Sequence, residues 1–224
     1  GYSEALFLAF ALPCWLAVRR GAWLAAALLG TLAATVRITG VFLGAALIVQ
    51  WLVETRGRGR ARDGLALLGP WAATAGYFAY LHSVTGDWLA WSHAERAGWG
   101  RDWTAPWTAL QTTWHAAFAA QPSDYAWSFR AEILAVLVGV VLTVLLVWLR
   151  RWGEAVYVGG QVVALATSTY YLSVARATLL WWPLWVLLAR AAARWRPVGL
   201  AYVAVAPALM VVGVVAFTQG HWVG

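Results

Sequence analysis

The sequence predicts an all-α protein, a polytopic bundle of about eight transmembrane helices with one outer, tryptophan-rich segment. Hydrophobic residues make up 62% of the 224-residue chain and charged residues only 11%, whereas water-soluble domains carry about 25% charge. All sixteen basic residues are arginine, and eleven of them fall in four clusters between apolar stretches, at 19–20, 56–62, 150–151 and 190–196. Because basic residues concentrate in cytoplasmic loops, this spacing predicts a multi-pass membrane protein with the clusters on the cytoplasmic side.

Eight apolar segments are the candidate membrane helices, because a bilayer core about 30 Å thick needs roughly 20 helical residues and leaves no other partner for backbone polar groups. They are 4–18, 22–36, 40–53, 64–82, 132–149, 154–173, 177–190 and 198–217. The segments 22–36, 40–53 and 177–190 are short for a crossing, so the first two form either two spans or one re-entrant hairpin. Gly40 and Gly44 form a small-xxx-small pair, which indicates close helix packing.

The segment 83–131 is the one long stretch between candidate spans, and it is predicted to lie outside the bilayer. Seven of the eighteen tryptophans fall in it: Trp88, Trp91, Trp99, Trp103, Trp107, Trp114 and Trp127. Steps of three and four predict one helical face, with Thr104 and Pro106 suited to the helix start. The residues of that face are Trp107, Leu110, Trp114 and Phe118. This helix either lies on the outer leaflet, packed on the bundle, or lines a groove for a lipid-linked substrate.

Polar chemistry is predicted on the side opposite the arginine clusters. All four histidines and six of the nine acids fall there or at the boundary: His82, His93, His115, His221, Glu4, Asp87, Glu95, Asp102, Asp124 and Glu132. Their spacing matches no metal site, and no cofactor is identified. Because the net charge of +7 sits in loop-end clusters, it indicates membrane topology and not nucleic-acid binding. Cys14 is the only cysteine, so an internal disulfide is excluded.

Three charged residues at the outer ends of the predicted spans are the main site candidates. Glu4 begins the first span and Arg37 ends the second, so short antiparallel helices would bring the two side chains face to face. The pair is either a salt bridge that pins two helix ends or a place where Arg37 binds phosphate with its planar donor fork. Arg176 lies among aromatic residues near the outer surface, where it either snorkels to the interface or forms a second phosphate clamp.

Several short motifs resemble the PIG-V mannosyltransferase family. Residues 2–7 (Tyr-Ser-Glu-Ala-Leu-Phe) resemble its Tyr-Ser/Thr-Glu-Ser-Leu-Phe segment, and residues 37–40 (Arg-Ile-Thr-Gly) resemble an Arg-Ser-Asn-Gly element after an apolar helix. Further similar elements are Thr-Gly-Asp at 85–87, Trp-Gly-Arg at 99–101 with Pro106, Ser-x-x-Arg at 173–176 and Leu-x-x-Pro-Leu at 180–184. Order and spacing agree over most of the chain. The chain departs from the pattern at Ala5, Ile38 and Thr39.

The resemblance implies a polytopic glycosyltransferase of the GT-C type. Such an enzyme takes mannose from a polyprenyl-phosphate carrier and adds it to a glycolipid or glycan acceptor on the outer or lumenal face, in a cell membrane or an endoplasmic-reticulum membrane. Its catalytic acid is expected in a loop upstream of residues 2–7, so the chain is expected to be the C-terminal part of a longer protein and inactive alone. The resemblance makes Arg37 and Arg176 candidates for the donor phosphate. The supporting candidates are Ser3, Glu4, Asp87 and Arg101.

Two other functional classes fit the composition. A transporter or flippase of lipid-linked sugars would also have a helix bundle, outer arginines and a tryptophan-rich rim. It would, however, carry polar residues at mid-membrane and halves related by an internal repeat, and the sequence shows few such charges and no clear repeat. A non-catalytic membrane partner subunit is the third class. Release of carrier phosphate together with mannose transfer separates the enzyme from both.

Overall fold

A computed structural model describes residues 3–119 and 126–220, and in these ranges the chain is helical, with no β-strand. Tyr2, Asp124 and His221 lie outside the described residues. One isolated antiparallel bridge joins Trp103 and Ser168. The helices are α1 Glu4–Arg19, α2 Trp23–Val36, α3 Gly40–Thr55, α4 Ala61–Ala66, α5 Gly69–Thr85, α6 Ala90–Trp99, α7 Pro106–Trp114 with a π-helical turn His115–Ala119, α8 Ala126–Trp148, α9 Trp152–Ala166, α10 Val174–Ala177, α11 Trp182–Arg194 and α12 Arg196–Thr218. The all-α prediction is therefore confirmed for the described part of the chain.

The predicted helix 64–82 was wrong in its first turns. The chain forms α4 and then, after a break at 67–68, α5. Pro70 lies in the first turn of α5, where its missing N–H would have no helical partner in any case. Proline inside a continuous helix would remove a hydrogen bond and clash with the preceding turn, so the helix restarts there. The segment 40–53 is a separate helix, α3, and the link 37–39 joins it to α2.

The predicted bounds of the helices 154–173 and 177–190 were also wrong, because the irregular stretch between the two helices is longer than the predicted turn around Arg176. Helix α9 ends at Ala166, and α11 does not begin until Trp182. Ser173 has a backbone φ of +60°, a left-handed conformation that is uncommon for a residue other than glycine and that interrupts a right-handed helix. Pro183 then marks the first turn of α11. This stretch carries Arg176 and becomes one wall of the site described below.

The core forms where α1, α2, α3, α5, α8 and α9 pack side by side, with α3 against α9 and α1 against α2. Glycine allows the closest approaches, since a Cβ on Gly153 would lie 2.8 Å from the Trp15 ring. At the same end of the bundle, Trp15 donates a hydrogen bond to Glu154 at 3.0 Å, and Arg151 pairs with Glu154. The clusters 19–20, 56–62 and 150–151 follow or precede these helix ends. We call this the arginine-rich end.

Gly40 and Gly44 lie where two helices come into contact, as their spacing predicted. A Cβ on Gly40 would lie 2.4 Å from the Cα of Ala34, and one on Gly44 would lie 2.8 Å from the Trp71 ring nitrogen. The first contact involves backbone, which does not move aside as a flexible side chain does. Gly76, inside α5, has no atom within 4 Å of such a Cβ.

Gly40→Ala is expected to destabilise the protein by about 1–3 kcal/mol, because the added methyl group overpacks a backbone contact. Gly76→Ala is the matched control and is expected to stabilise by about 0.5–1 kcal/mol, through the better helix propensity of alanine. The thermal unfolding midpoints of the two variants in detergent measure the difference. A Gly40→Ala midpoint equal to that of the wild type would contradict the packing.

Two helices in the described residues are long and apolar enough to cross a bilayer, namely α8 and α12, with 23 residues each. In their most apolar windows only 28% of α8 and none of α12 is buried, which suits a helix that faces lipid. Helices α1, α2, α3 and α9 have 14–16 residues, roughly 21–24 Å in length, and are shorter than a bilayer core of about 30 Å. A membrane location is therefore compatible with the fold, and the number of about eight spans stays a prediction.

Candidate functional site

A cavity of about 800 Å³ opens at the end of the bundle opposite the arginine-rich end. Its walls are the α2–α3 link, one side of α6, the loop 101–103, the last turns of α9 and the stretch 167–177. The lining combines apolar side chains with five charged ones, namely Arg37, Glu95, Arg101, Asp102 and Arg176. The volume lies in the range of small-molecule sites.

Glu4, Arg37 and Arg176 form one ion-paired cluster beside this cavity. Glu4 Oε1 lies 2.9 Å from Arg37 Nη1 and 3.2 Å from Arg176 Nε. Arg37 Nη1 also donates a hydrogen bond to Ser3 Oγ at 3.0 Å. The predicted contact between Glu4 and Arg37 is thus confirmed. The structure adds Arg176 to it, across more than 130 residues of chain.

The cluster presents positive charge to the cavity. The Glu4 side chain is 10% exposed, whereas each of the two arginines is 23% exposed and lines the cavity wall. Two guanidinium groups and one carboxylate leave a formal charge of +1. Each guanidinium presents its N–H donors in a planar fork. The arrangement therefore suits an anion with several oxygen atoms, such as a phosphate group.

Glu132 holds the backbone that carries Arg176. This carboxylate, in the second turn of α8, is 3% exposed. It accepts hydrogen bonds from the backbone N–H groups of Ser173 at 2.8 Å, Val174 at 2.6 Å and Ala175 at 3.1 Å. Three bonds to one carboxylate fix the left-handed turn at Ser173 and aim the next residues at the cavity. The sequence predicted Glu132 only as one of the acids opposite the arginine clusters, with no role of its own. An acidic residue inside an apolar helix is nevertheless an indication of a functional residue.

A network of backbone contacts fastens the loop 101–104 to the stretch that follows α9. The Thr104 N–H donates to Thr167 O at 2.8 Å, and the Thr169 N–H donates to Asp102 O at 3.0 Å. The Tyr170 hydroxyl donates to Trp99 O at 2.9 Å. These bonds close one side of the cavity. Three tryptophans of the segment 83–131 also line the cavity, namely Trp91, Trp99 and Trp103.

Arg101, predicted as a supporting residue, also lines the cavity. Its Nη2 donates to the Leu172 carbonyl, and Nη1 lies 3.8 Å from Glu95 Oε2. Arg101 therefore links α6 to the stretch that precedes Arg176. Through these contacts Arg101 stabilises the wall of the cavity.

Asp87, another supporting candidate, does not line the cavity. Its Oδ1 accepts the Leu89 N–H at 2.8 Å, and Oδ2 lies 2.7 Å from His93 Nδ1. These bonds end α5 and begin α6. The Leu89 N–H and then the neighbouring His93 lower the pKa of Asp87 below its ordinary value of 3.8, so the carboxylate is ionised throughout the neutral range.

Asp87→Asn is expected to leave any activity of the cavity within about twofold of the wild type, as surface substitutions away from a site commonly do. A carboxylate with a depressed pKa contributes stability above its unfolded pKa and loses it as the pH falls through the folded value. The variant should therefore differ from wild type in stability at neutral pH and converge with it only in strong acid. Thermal midpoints measured between pH 7 and pH 3 test this, and a constant difference would contradict it.

The tryptophan-rich helix predicted from 107, 110, 114 and 118 exists as α7 and its π-helical turn, and it begins at Pro106 as expected. Its apolar stripe is 41–72% exposed and does not line the cavity described above. The opposite face, with Ala109, Thr113 and Ala117, is buried on the bundle. The exposed apolar stripe therefore lies apart from the wall of this cavity.

No protein-family model, no curated protein and no solved structure matches the chain.

Proposed function

We propose that the protein is an integral-membrane glycosyltransferase that moves mannose from a polyprenyl-phosphate carrier to a glycolipid or glycan acceptor. In this proposal the arginine-rich end faces the cytoplasm and the cavity faces the outer or lumenal side. The observation that carries the proposal is the pair of arginines, Arg37 and Arg176, held by Glu4 at the wall of a cavity. The resemblance to the PIG-V family supplies the identity of the sugar.

The positive charge of the cluster complements the negative charge of the donor phosphate, and it complements the larger negative charge of the leaving group better. A polyprenyl-phosphate sugar is a phosphodiester with one negative charge, which the formal +1 of the cluster balances. When the bond between the anomeric carbon and the phosphate oxygen breaks, the bonding electrons leave with the phosphate, whose charge approaches −2. Two preorganised guanidinium groups then interact more strongly with the departing phosphate than with the donor, and such differential binding accelerates the reaction.

The acceptor supplies the atom that forms the new bond and the proton that is released. Its hydroxyl oxygen forms the new bond to the anomeric carbon and gives its proton to a general base, a step typically worth about 10²–10⁴-fold in rate. No residue of this chain is assigned the role of that base. The apolar part of the cavity lining, which includes Val36, Ile38 and Phe42, would adjoin the first units of the polyprenyl chain.

A transfer assay with the protein expressed from its whole coding sequence tests the proposal. The purified protein, in lipid vesicles, is given polyprenyl-phosphate mannose labelled in the sugar, together with glycolipid extracted from the producing cells. We expect label in the glycolipid and an equal amount of free polyprenyl phosphate. Movement of the intact donor between leaflets without bond cleavage would overturn the proposal and identify a flippase. Binding without either event would indicate a partner subunit.

A further inference from the structure

One side of α6 forms part of the cavity wall. The residues of α6 that line the cavity are Trp91, Ser92, Glu95 and Trp99. Because Trp91, Glu95 and Trp99 are spaced four residues apart, they fall on one side of the helix, with the carboxylate between two tryptophans. All three are accessible, since Trp99 is 47% exposed, the Glu95 side chain is 26% exposed and Trp91 is partly exposed. We call these three residues the α6 face.

The carboxylate of Glu95 is open to a ligand, unlike that of Asp102, the other acid on the cavity wall. Asp102 Oδ1 accepts the Trp103 N–H at 3.0 Å, and Oδ2 lies 2.8 Å from Arg96 Nη2. Glu95 Oε2 lies 3.8 Å from Arg101 Nη1, which is too far for a hydrogen bond. Among the residues that the structure describes, none donates a hydrogen bond to the Glu95 carboxylate. Its two oxygens, with about four lone-pair positions, can therefore accept from a bound molecule.

The charges of the cavity decide which donors suit Glu95. The lining contains three arginines and two acids, which leave a formal charge of +1. That excess repels a cationic ligand, and Glu95 itself repels an anionic group, which fits the pair of Arg37 and Arg176 better. Neutral hydroxyl groups are the donors that neither charge excludes. Two adjacent hydroxyls can each donate to one oxygen of a carboxylate.

The two tryptophans supply the apolar part of the α6 face. A tryptophan side chain is large, rigid and apolar apart from one N–H. Phe78 of α5 packs edge-on against Trp91, with the ring centroids 6.3 Å apart, and this contact holds α6 against α5. A sugar ring has hydroxyls around its edge and apolar C–H groups on its faces, so it matches both the carboxylate and the tryptophans.

We propose that the α6 face is a saccharide-binding site, in which Glu95 accepts hydrogen bonds from two adjacent hydroxyls while Trp91 and Trp99 pack against the ring. The inference rests on the proposed function for the identity of the sugar, mannose. It adds the residues that hold the sugar in the cavity that carries Arg37 and Arg176. The mannose of the donor and the sugar of the acceptor share this chemistry, and the experiment below distinguishes them.

The binding of small soluble probes tests the α6 face without depending on transfer. The first probe is methyl α-mannopyranoside, which has no phosphate. The second and third are methyl mannosyl phosphate and dimethyl phosphate, two phosphodiesters with a single negative charge, of which only the former has a sugar. Dissociation constants are measured by ligand-observed NMR on the protein expressed from its whole coding sequence, in detergent. The ratio of the dissociation constant of dimethyl phosphate to that of methyl mannosyl phosphate measures the contribution of the donor sugar.

Glu95→Gln keeps the shape of the side chain but replaces one acceptor oxygen by an N–H₂ group. It is expected to weaken the binding of methyl α-mannopyranoside by about three- to tenfold, the value of one hydrogen bond, and to leave the binding of dimethyl phosphate no weaker. Trp99→Leu is the second variant, with a similar expected effect through loss of the ring, should Glu95→Gln fail to fold. Glu54→Gln, at an exposed position of α3 outside the cavity, is the matched control and should leave all three constants unchanged.

The outcomes separate the two sources of the sugar, and they separate this inference from the proposed function. Weaker binding of the mannoside together with a reduced ratio assigns the α6 face to the donor sugar, whereas weaker binding with an unchanged ratio assigns it to the acceptor sugar. A wild-type protein that does not bind the mannoside, or a folded Glu95→Gln protein that binds it as the wild type does, overturns the site even where mannose transfer is observed. Weaker binding in a protein that transfers no sugar supports the site and overturns the enzyme.

Discussion

Replacement of Arg176 by alanine is expected to lower the rate of sugar transfer by about 10- to 100-fold. The side chain lines the cavity and contacts Glu4 at 3.2 Å. A hydrogen bond to a charged group is worth about 1.5–3 kcal/mol, and a loss of that size in the transition state corresponds to this change in rate. Initial rates with polyprenyl-phosphate mannose, at equal amounts of folded protein, are the measurement.

Arg37→Ala is expected to have a similar effect, and the lysine variants distinguish charge from geometry. Lysine keeps the positive charge but lacks the planar fork that pairs with two oxygens at once. Arg176→Lys should therefore recover part of the lost rate and not all of it. Arg62→Ala is the matched control, because Arg62 pairs with Asp63 at the arginine-rich end and exposed pairs contribute little.

A charge-reversed pair separates phosphate binding from simple pinning of helix ends. The double variant Glu4→Arg with Arg37→Glu keeps the ion pair between the two helix ends, but it would place a second arginine beside Arg176, where Glu4 now lies at 3.2 Å. Both substitutions are therefore made in the Arg176→Ala protein, which serves as the reference. If the contact between Glu4 and Arg37 only joins α1 to the α2–α3 link, the charge-reversed protein should transfer sugar at the reference rate. The phosphate role requires instead that the rate fall below the reference, since the Arg37 guanidinium group has left the cavity wall.

The contact between Glu4 and Arg37 was predictable because it depends on local features alone. Two apolar helices of similar length, joined by a short turn at Arg19 and Arg20, return the chain to the height at which it began. A carboxylate at one helix end and an arginine at the other then attract each other, since opposite charges brought to the same height form an ion pair. The structure has that contact at 2.9 Å.

The place of Arg176 was not predictable from periodicity, because an irregular turn decides it. The apolar run through 154–173 reads as one continuous helix, yet α9 ends at Ala166. Serine in a left-handed conformation at 173 leaves no signal of the kind that glycine gives. The turn exists because Glu132, 41 residues earlier, accepts its N–H groups, and such a long-range interaction overrides local preference.

Glu132→Gln is expected to reduce both stability and transfer, and the second effect should act through Arg176. The amide keeps one acceptor oxygen, so at least one of the three N–H groups loses its partner and meets an N–H₂ group instead. The loss of a charged hydrogen bond predicts destabilisation by about 1.5–3 kcal/mol. Ser173 would also lose the contact that compensates for its left-handed backbone, which costs about 1–3 kcal/mol in a residue other than glycine.

The decisive measurement is the double variant Glu132→Gln with Arg176→Ala. If Glu132 only stabilises the fold, it has no effect on the rate per folded molecule. Glu132→Gln alone then transfers sugar at the wild-type rate, and the double variant transfers it at the rate of Arg176→Ala. If Glu132 positions Arg176, Glu132→Gln alone lowers the rate about tenfold, and the double variant is no slower than Arg176→Ala, because residues that act as a unit are not additive. Fully additive losses would contradict the positioning role, since they would require Glu132 to act on the reaction independently of the arginine whose backbone it holds.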